Sequence, residues 1–242
     1  MRNGVTLKVH RYLQDTGCCA VAAAASVANF YDKGIDYETV KRIALPDGDG
    51  MYTPDIARLM NRLGFHNVSV VSANIEHFDF KWQGISRPKM LDEMRRSARY
   101  HPDDEAKEIA HAYVKFLADP HYRNELIIDT RFGDYIREHL DAGNPVLASF
   151  NWNVFFNYPK WNDRGEVDPL RGFSEEHEVV IYGYDEKNVM ILDSHHELYK
   201  GRLKKFATGR YTMTWEMLMT VMGFGDLILA GRFVPNVSEL AL

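Results

Sequence analysis

The chain reads Leu-Gln-Asp-Thr-Gly-Cys-Cys over residues 13–19 and continues as an alanine-rich run over residues 20–31. This order predicts a polar loop, then a thiol, then a helix of small residues. Alanine has the highest helix propensity and lets a helix approach its neighbours closely. A cysteine on the first turn of such a helix lies among unpaired N–H groups at the positive end of the dipole, which favours the thiolate. The stretch therefore predicts either a nucleophilic cysteine or two small apolar cysteines that simply begin a buried helix.

The composition is that of an ordinary globular domain. The chain has 242 residues, of which 45% are hydrophobic and 26% charged, enough for one domain with a sizeable core. Its net charge of -5 disfavours a nucleic-acid-binding surface. We find no run long enough to span a membrane and no apolar signal segment. Since the only cysteines, Cys18 and Cys19, are neighbours, they predict no disulfide framework, and we expect a cytoplasmic protein.

Periodicity and turn residues predict helices first and then mostly strands. Predicted helices cover residues 18–31, 37–44, 53–63, 104–117, 132–142 and 215–222, and predicted strands cover residues 5–9, 68–71, 145–152, 178–184, 188–193, 210–214 and 226–234. This order indicates an α+β fold in which N-terminal helices pack on a C-terminal antiparallel sheet.

Residues 74–125 differ from the rest because prolines break them into pieces. We interpret them as a helical insertion into one domain that spans residues 1–242, and we expect them to pack beside a cleft rather than in the core. Three histidines, His101, His111 and His121, fall here at intervals of ten residues. That spacing matches no local metal-ligand pattern, so we interpret them as solvated and expect no metal.

A histidine precedes the strand predicted at residues 178–184, and an aspartate ends the strand that follows. The short connection at residues 185–187 is typical of a hairpin. Because one strand of a hairpin starts beside the end of the other, His177 and Asp193 should be neighbours. A carboxylate there can fix the tautomer of the imidazole and stabilise its protonated form. Together with a thiol at a helix N-terminus, they predict a nucleophile, a base and an orienting carboxylate. Without that thiol they would be a strand-end histidine and a turn aspartate.

These segments resemble the C39 and C39-like family of papain-like cysteine peptidases. Residues 14–31, a glutamine and a cysteine followed by a small-residue helix that ends in an aromatic residue, resemble the first family motif. Residues 177–184 resemble the second motif, a histidine followed by apolar residues and a glycine. Residues 192–194, with an aspartate after a strand, resemble the third. The resemblance covers most of the chain outside residues 74–125.

The resemblance implies a papain-like fold and a Cys-His-Asp triad. Cys19 rather than Cys18 matches the nucleophile, because Tyr31 follows it by twelve residues, as the aromatic residue of the family does. His177 matches the base and Asp193 the residue that orients it.

The resemblance also implies an oxyanion hole. Gln14 matches the family glutamine whose NH₂ group, with the backbone N–H of Cys19, would surround a developing oxyanion. It lies one residue closer to the cysteine than is usual, and Ala20 stands where a glycine is usual.

An aromatic run precedes His177. Part of it belongs in a core, and we predict that Trp152, Phe155 and Phe156 line a cleft for an apolar or peptide-like substrate.

We therefore expect a thiol hydrolase that acts on a peptide or related amide substrate, with no cofactor and with no nucleic-acid or membrane partner. Two other functions stay open at this point. The same triad would serve an acyltransferase such as a transglutaminase, and the same fold could be a catalytically silent peptide-binding module. The sequence does not predict the oligomeric state.

Overall fold

The computed structural model describes residues 4–44, 51–162, 164–174, 176–195, 208–223 and 225–233. Its central feature is an eight-stranded sheet. The strands are β1 (Val5–Thr6), β2 (Phe65–Ser72), β3 (Arg123–Ile128), β4 (Val146–Asn151), β5 (Glu176–Tyr184), β6 (Asn188–Leu192), β7 (Arg210–Thr214) and β8 (Asp226–Phe233). They lie in the order β3-β2-β8-β4-β5-β6-β7, and β1 pairs with β5. Every pair is antiparallel except β2 and β3.

Helices cover both faces of this sheet. They are α1 (Cys19–Tyr31), α2 (Tyr37–Ala44), α3 (Thr53–Arg62), α4 (Arg87–Tyr100), α5 (Asp104–Ala118), α6 (Phe132–Asp141), α7 (Trp152–Phe156) and α8 (Trp215–Val221). Residues of α1 to α5 share one hydrophobic cluster with one face of the sheet, and residues of α6, α7 and α8 share a second cluster with the other face. None of the helices in the described part of the chain has the length and hydropathy that a bilayer crossing requires.

The alanine-rich helix α1 is buried almost along its whole length. Ala22, Ala24 and Ala25 are each 0% exposed. Small side chains let the helix axis lie close to the sheet, so its N-terminus is held at a fixed place beside the start of β5. The helix predicted from the alanine run is therefore confirmed, and it begins at Cys19.

Residues 74–125 contain two long helices that are part of the core. Phe116 and Leu117 of α5 and Met90 and Met94 of α4 are buried in the same cluster as α1. The expectation that this stretch packs outside the core is wrong, because its apolar faces cover one side of the sheet. That it is an insertion stays a prediction.

Several element boundaries differ from the prediction for local reasons. Helix α4 was not expected because Pro88 reads as a breaker, yet it occupies the first turn, where its missing N–H costs nothing. The strand predicted to end at residue 152 stops at Asn151, whose side chain accepts a hydrogen bond from the backbone N–H of Val154 and so starts α7. The hairpin of β5 and β6 is confirmed, as is the α+β fold class. The last residue of the final predicted strand, Val234, lies outside the described residues.

Candidate active site

Cys19 is the first residue of the thirteen-residue helix α1. Gly17, in the left-handed region with φ of 72°, turns the preceding loop into the helix, a conformation that glycine adopts without strain. The two neighbouring thiols then have different partners. The side chain of Cys19 is hydrogen-bonded to His177, whereas the buried thiol of Cys18 is hydrogen-bonded to the hydroxyl of Tyr37.

The His177 ring lies between Cys19 and Asp193. Its Nε2 is 2.8 Å from Asp193 Oδ1, and the two side chains are 3% and 0% exposed. Because Nε2 is engaged by the carboxylate, Nδ1 is the nitrogen left to face the sulfur. The hairpin register explains this arrangement, since Leu192 pairs with Val180 and so returns the chain to the start of β5.

The charges in this group favour a thiolate beside an imidazolium. Burial opposes the thiolate, but hydrogen bonding and the charge of His177, with the N–H groups of Glu178 and Ala20, outweigh burial and lower the pKa of Cys19. Burial also opposes the imidazolium, yet the charge and hydrogen bond of Asp193, and then Cys19, raise the pKa of His177 well above its usual range. Each charged form therefore stabilises the other.

Asp193 is held by groups that the sequence did not reveal. The Tyr211 hydroxyl donates to Oδ2 at 2.9 Å, and the backbone N–H of His195 donates to Oδ1 at 2.8 Å. Arg11 donates from Nε to the backbone oxygen of Asp193 at 2.6 Å. Tyr211 could have been found only from the pairing of β7 with β6, which places Arg210 opposite Leu192.

Gln14 is buried and fixed to the chain segment that follows Asp193. The hydroxyl of Ser194 donates to Gln14 Oε1 at 2.7 Å, and the backbone N–H of Gln14 donates to the Ser194 oxygen at 3.1 Å. With the amide oxygen engaged, the NH₂ group is the end of Gln14 that can serve as a donor. Residue Ser194 was noted in the third motif without a role, and the structure gives it this contact.

The three predicted substrate-binding aromatics have different surroundings. Trp152 stacks on His177 with ring centroids 5.0 Å apart and so covers one face of the imidazole. Phe155 stacks on Tyr211 at 5.4 Å, and Phe156 is only 4% exposed. Their contact with a substrate stays a prediction.

The arrangement can perform nucleophilic chemistry. In this arrangement a thiolate could attack, an imidazolium could donate a proton, and the carboxylate could keep the ring in place. The N-terminal N–H groups of α1 have no partners within the helix, so they can donate hydrogen bonds to a negatively charged oxygen formed next to the sulfur.

The sequence was compared with known proteins. A family model described as "Peptidase_C39 like family" matches residues 6–221. The matched range includes Gln14, Cys19, His177 and Asp193. A search of curated proteins found no match.

Three solved structures are similar to this chain. The peptidase domain of Streptococcus ComA, described as a bi-functional ABC transporter involved in a quorum sensing pathway, has a TM-score of 0.44 and 13% identity, with 93% of this chain and 100% of that chain covered. Xylellain, a cysteine protease from Xylella fastidiosa, has a TM-score of 0.48 and 15% identity, with 97% and 87% covered. A protein described as a C39-like peptidase from Bacillus anthracis has a TM-score of 0.42 and 14% identity, with 96% and 99% covered.

Proposed function

This chain belongs to the Peptidase_C39 like family, and on that premise we propose that it is a cysteine-dependent hydrolase of a peptide or related amide bond. Its papain-like α+β fold is the one that the resemblance implied. The observation that carries the proposal is the buried, hydrogen-bonded chain from Cys19 through His177 to Asp193.

In the first half of the proposed reaction, the Cys19 thiolate attacks the carbonyl carbon of the amide. The carbonyl oxygen becomes an oxyanion, to which the Cys19 N–H and the Gln14 NH₂ group donate hydrogen bonds. His177 gives its proton to the amine as the C–N bond breaks, and a thioester with Cys19 remains.

In the second half, neutral His177 takes a proton from water while the water oxygen attacks the thioester. The C–S bond then breaks, so the carboxylic acid leaves and the thiolate–imidazolium pair is restored. Asp193 is proposed to orient the ring in both halves and to stabilise the imidazolium form. No cofactor enters this scheme.

The test compares the two neighbouring cysteines. At pH 6, iodoacetamide should alkylate Cys19 more than about tenfold faster than Cys18, since the hydrogen bond and charge of His177 lower the pKa of the Cys19 thiol. A synthetic peptide library incubated in H₂¹⁸O should give products with ¹⁸O in the new carboxyl group, and this activity should disappear in Cys19→Ala. The matched control is Cys18→Ala, which changes the same atoms one residue away and should retain cleavage.

Equal, slow alkylation of both cysteines would contradict the proposal, as would cleavage that survives in Cys19→Ala. Products joined to an added amine, without ¹⁸O, would identify an acyltransferase instead.

A further inference from the structure

A line of polar side chains crosses one face of the sheet. Ser72 of β2 pairs with Asp226 of β8, and Ser149 of β4 pairs with Glu178 of β5. The register of β4 against β8 brings Ser149 next to Asp226. Directly opposite residues of antiparallel strands point to the same face. The four side chains therefore form one row over four neighbouring strands, which we call the acidic row.

Glu176 extends the acidic row towards solvent. It lies two residues before Glu178, hence on the same face, and its Oε2 accepts a hydrogen bond from the Ser149 hydroxyl at 3.2 Å. Glu176 is exposed, whereas Glu178 is only 4% exposed. At the buried end the row reaches the nucleophile, because the backbone N–H of Glu178 is hydrogen-bonded to Cys19. The row therefore runs from the surface to the sulfur.

Buried polar atoms along the row lack partners. Glu178 Oε1, Asp226 Oδ1 and the Tyr113 hydroxyl have no hydrogen-bond partner among the described residues. Tyr113, on α5, is 1% exposed and interacts electrostatically with Asp226 and Glu176, so it lies near the same row. An unpaired buried polar atom is destabilising, so a concentration of such atoms points to a ligand that they bind.

The basic groups that act on the row are histidines: His177 interacts electrostatically with Glu178, and His77 with Asp226. Within the described part of the chain, none of its carboxyl groups forms an ion pair with a lysine or arginine. Although Glu176 is exposed as a residue, its carboxyl group is partly desolvated where it meets Ser149. This desolvation, and then the charge of Asp226, raise the pKa of Glu176 to about 7, and burial raises the pKa of Glu178 well above its usual range. A cation placed among these carboxyl groups would favour their charged forms.

We propose that Glu176, Glu178 and Asp226, with the Tyr113 hydroxyl, form a substrate subsite for a cationic nitrogen beside the bond that Cys19 attacks. The ligand chemistry is an ammonium or guanidinium group, as carried by lysine, arginine or a free amino terminus. Carboxylates bind both through charge-assisted hydrogen bonds. The inference rests on the proposed function, since it takes Cys19 as the nucleophile.

Small thiol reagents test the subsite without a known substrate. Three methanethiosulfonates, with aminoethyl, methyl and sulfonatoethyl groups, transfer a cationic, neutral or anionic alkylthio group to the attacking thiolate, so that a disulfide bond forms and methanesulfinate leaves. We would measure their rates with Cys19 by mass spectrometry in a Cys18→Ser background. The cationic-to-neutral rate ratio should fall about tenfold in Glu178→Gln and in Asp226→Asn, the effect of losing one nearby charge.

The matched control is Glu186→Gln, which removes one carboxylate at the exposed turn beyond the opposite end of β5 and should leave the ratio unchanged. Glu176→Gln, at the exposed end of the row, repeats the test if a buried variant does not fold. If Cys19 reacts but the cationic-to-neutral rate ratio is the same in the wild type and in all row variants, the subsite proposal is wrong. An unreactive Cys19 would overturn the proposed function instead.

A peptide library identifies the source of the cation. Peptides with lysine and arginine are compared with the same peptides carrying norleucine and citrulline, each with a free or an acetylated amino terminus. If peptides with lysine or arginine are cleaved faster and Glu178→Gln removes this difference, the subsite binds a basic side chain. If peptides with a free amino terminus are cleaved faster and Glu178→Gln removes that difference, the subsite binds the amino terminus. Cleavage that is indifferent to both would contradict the proposal.

Discussion

Removing the carboxylate of Asp193 should slow the alkylation of Cys19 at acidic pH. In the wild type the charge and hydrogen bond of Asp193 raise the pKa of His177, and His177 in turn lowers the pKa of Cys19. In Asp193→Ala the imidazolium loses its partner, so the pKa of Cys19 should rise and less thiolate should be present at pH 6.

The magnitude follows from the contact that is lost. The Nε2–Oδ1 distance is 2.8 Å, and both side chains are almost fully buried. A hydrogen bond to a charged group contributes about 1.5–3 kcal/mol, and 1.36 kcal/mol corresponds to a factor of ten, so alkylation at pH 6 should slow by about 10- to 100-fold. Turnover of any substrate should fall in the same direction.

The assay is the rate of iodoacetamide alkylation at Cys19 from pH 4 to pH 9, with unfolding midpoints recorded alongside. Asp193→Asn keeps the shape of the side chain and should give an intermediate effect. Tyr211→Phe is the matched control, because it removes a hydrogen bond to the other oxygen of the same carboxylate and leaves His177 untouched. A folded Asp193→Ala protein whose profile superimposes on that of the wild type would refute the reasoning and leave at most a Cys19–His177 pair.

Two further predictions concern stability. Burial lowers the pKa of His139 from 6.5 to about 4. Between these pH values the unfolded chain binds a proton that the folded chain does not, so the free energy of unfolding should fall as pH drops from 6.5 towards 4. In His139→Gln, urea unfolding should show a smaller fall over this range, and an unchanged fall would contradict the assignment. The buried amides of Asn61 and Asn124 donate to each other at 3.1 and 2.9 Å, and Asn124 also donates to the Phe116 carbonyl. Asn124→Leu leaves Asn61 and the Phe116 carbonyl without these hydrogen bonds, so it should lower the free energy of unfolding by about 3 kcal/mol. A loss below about 1 kcal/mol would argue against this account.

Local sequence determined the elements on which the site is built. The alanine run has a strong intrinsic preference for helix and fixes α1, with a cysteine at its start. The alternation and short turn of residues 176–192 fix the β5–β6 hairpin, whose register places Asp193 beside Val179, two residues from His177 on the same face of β5. These signals depend on residues close in the chain, so they could be read without any knowledge of the fold.

Contacts between distant segments were decided only by the tertiary structure. The sequence could not show that Tyr211 would hold Asp193, that β3 would pair in parallel with β2, or that Asp226 would lie in one row with Glu178. The family resemblance pointed to Cys19 rather than Cys18, but only the structure showed that the Cys18 thiol meets Tyr37. Each of these contacts depends on which strands and helices become neighbours. The burial of apolar faces from the whole chain determines which elements pack together. Because hydrophobic burial is non-directional, the local sequence around a residue does not show which distant residue it will contact.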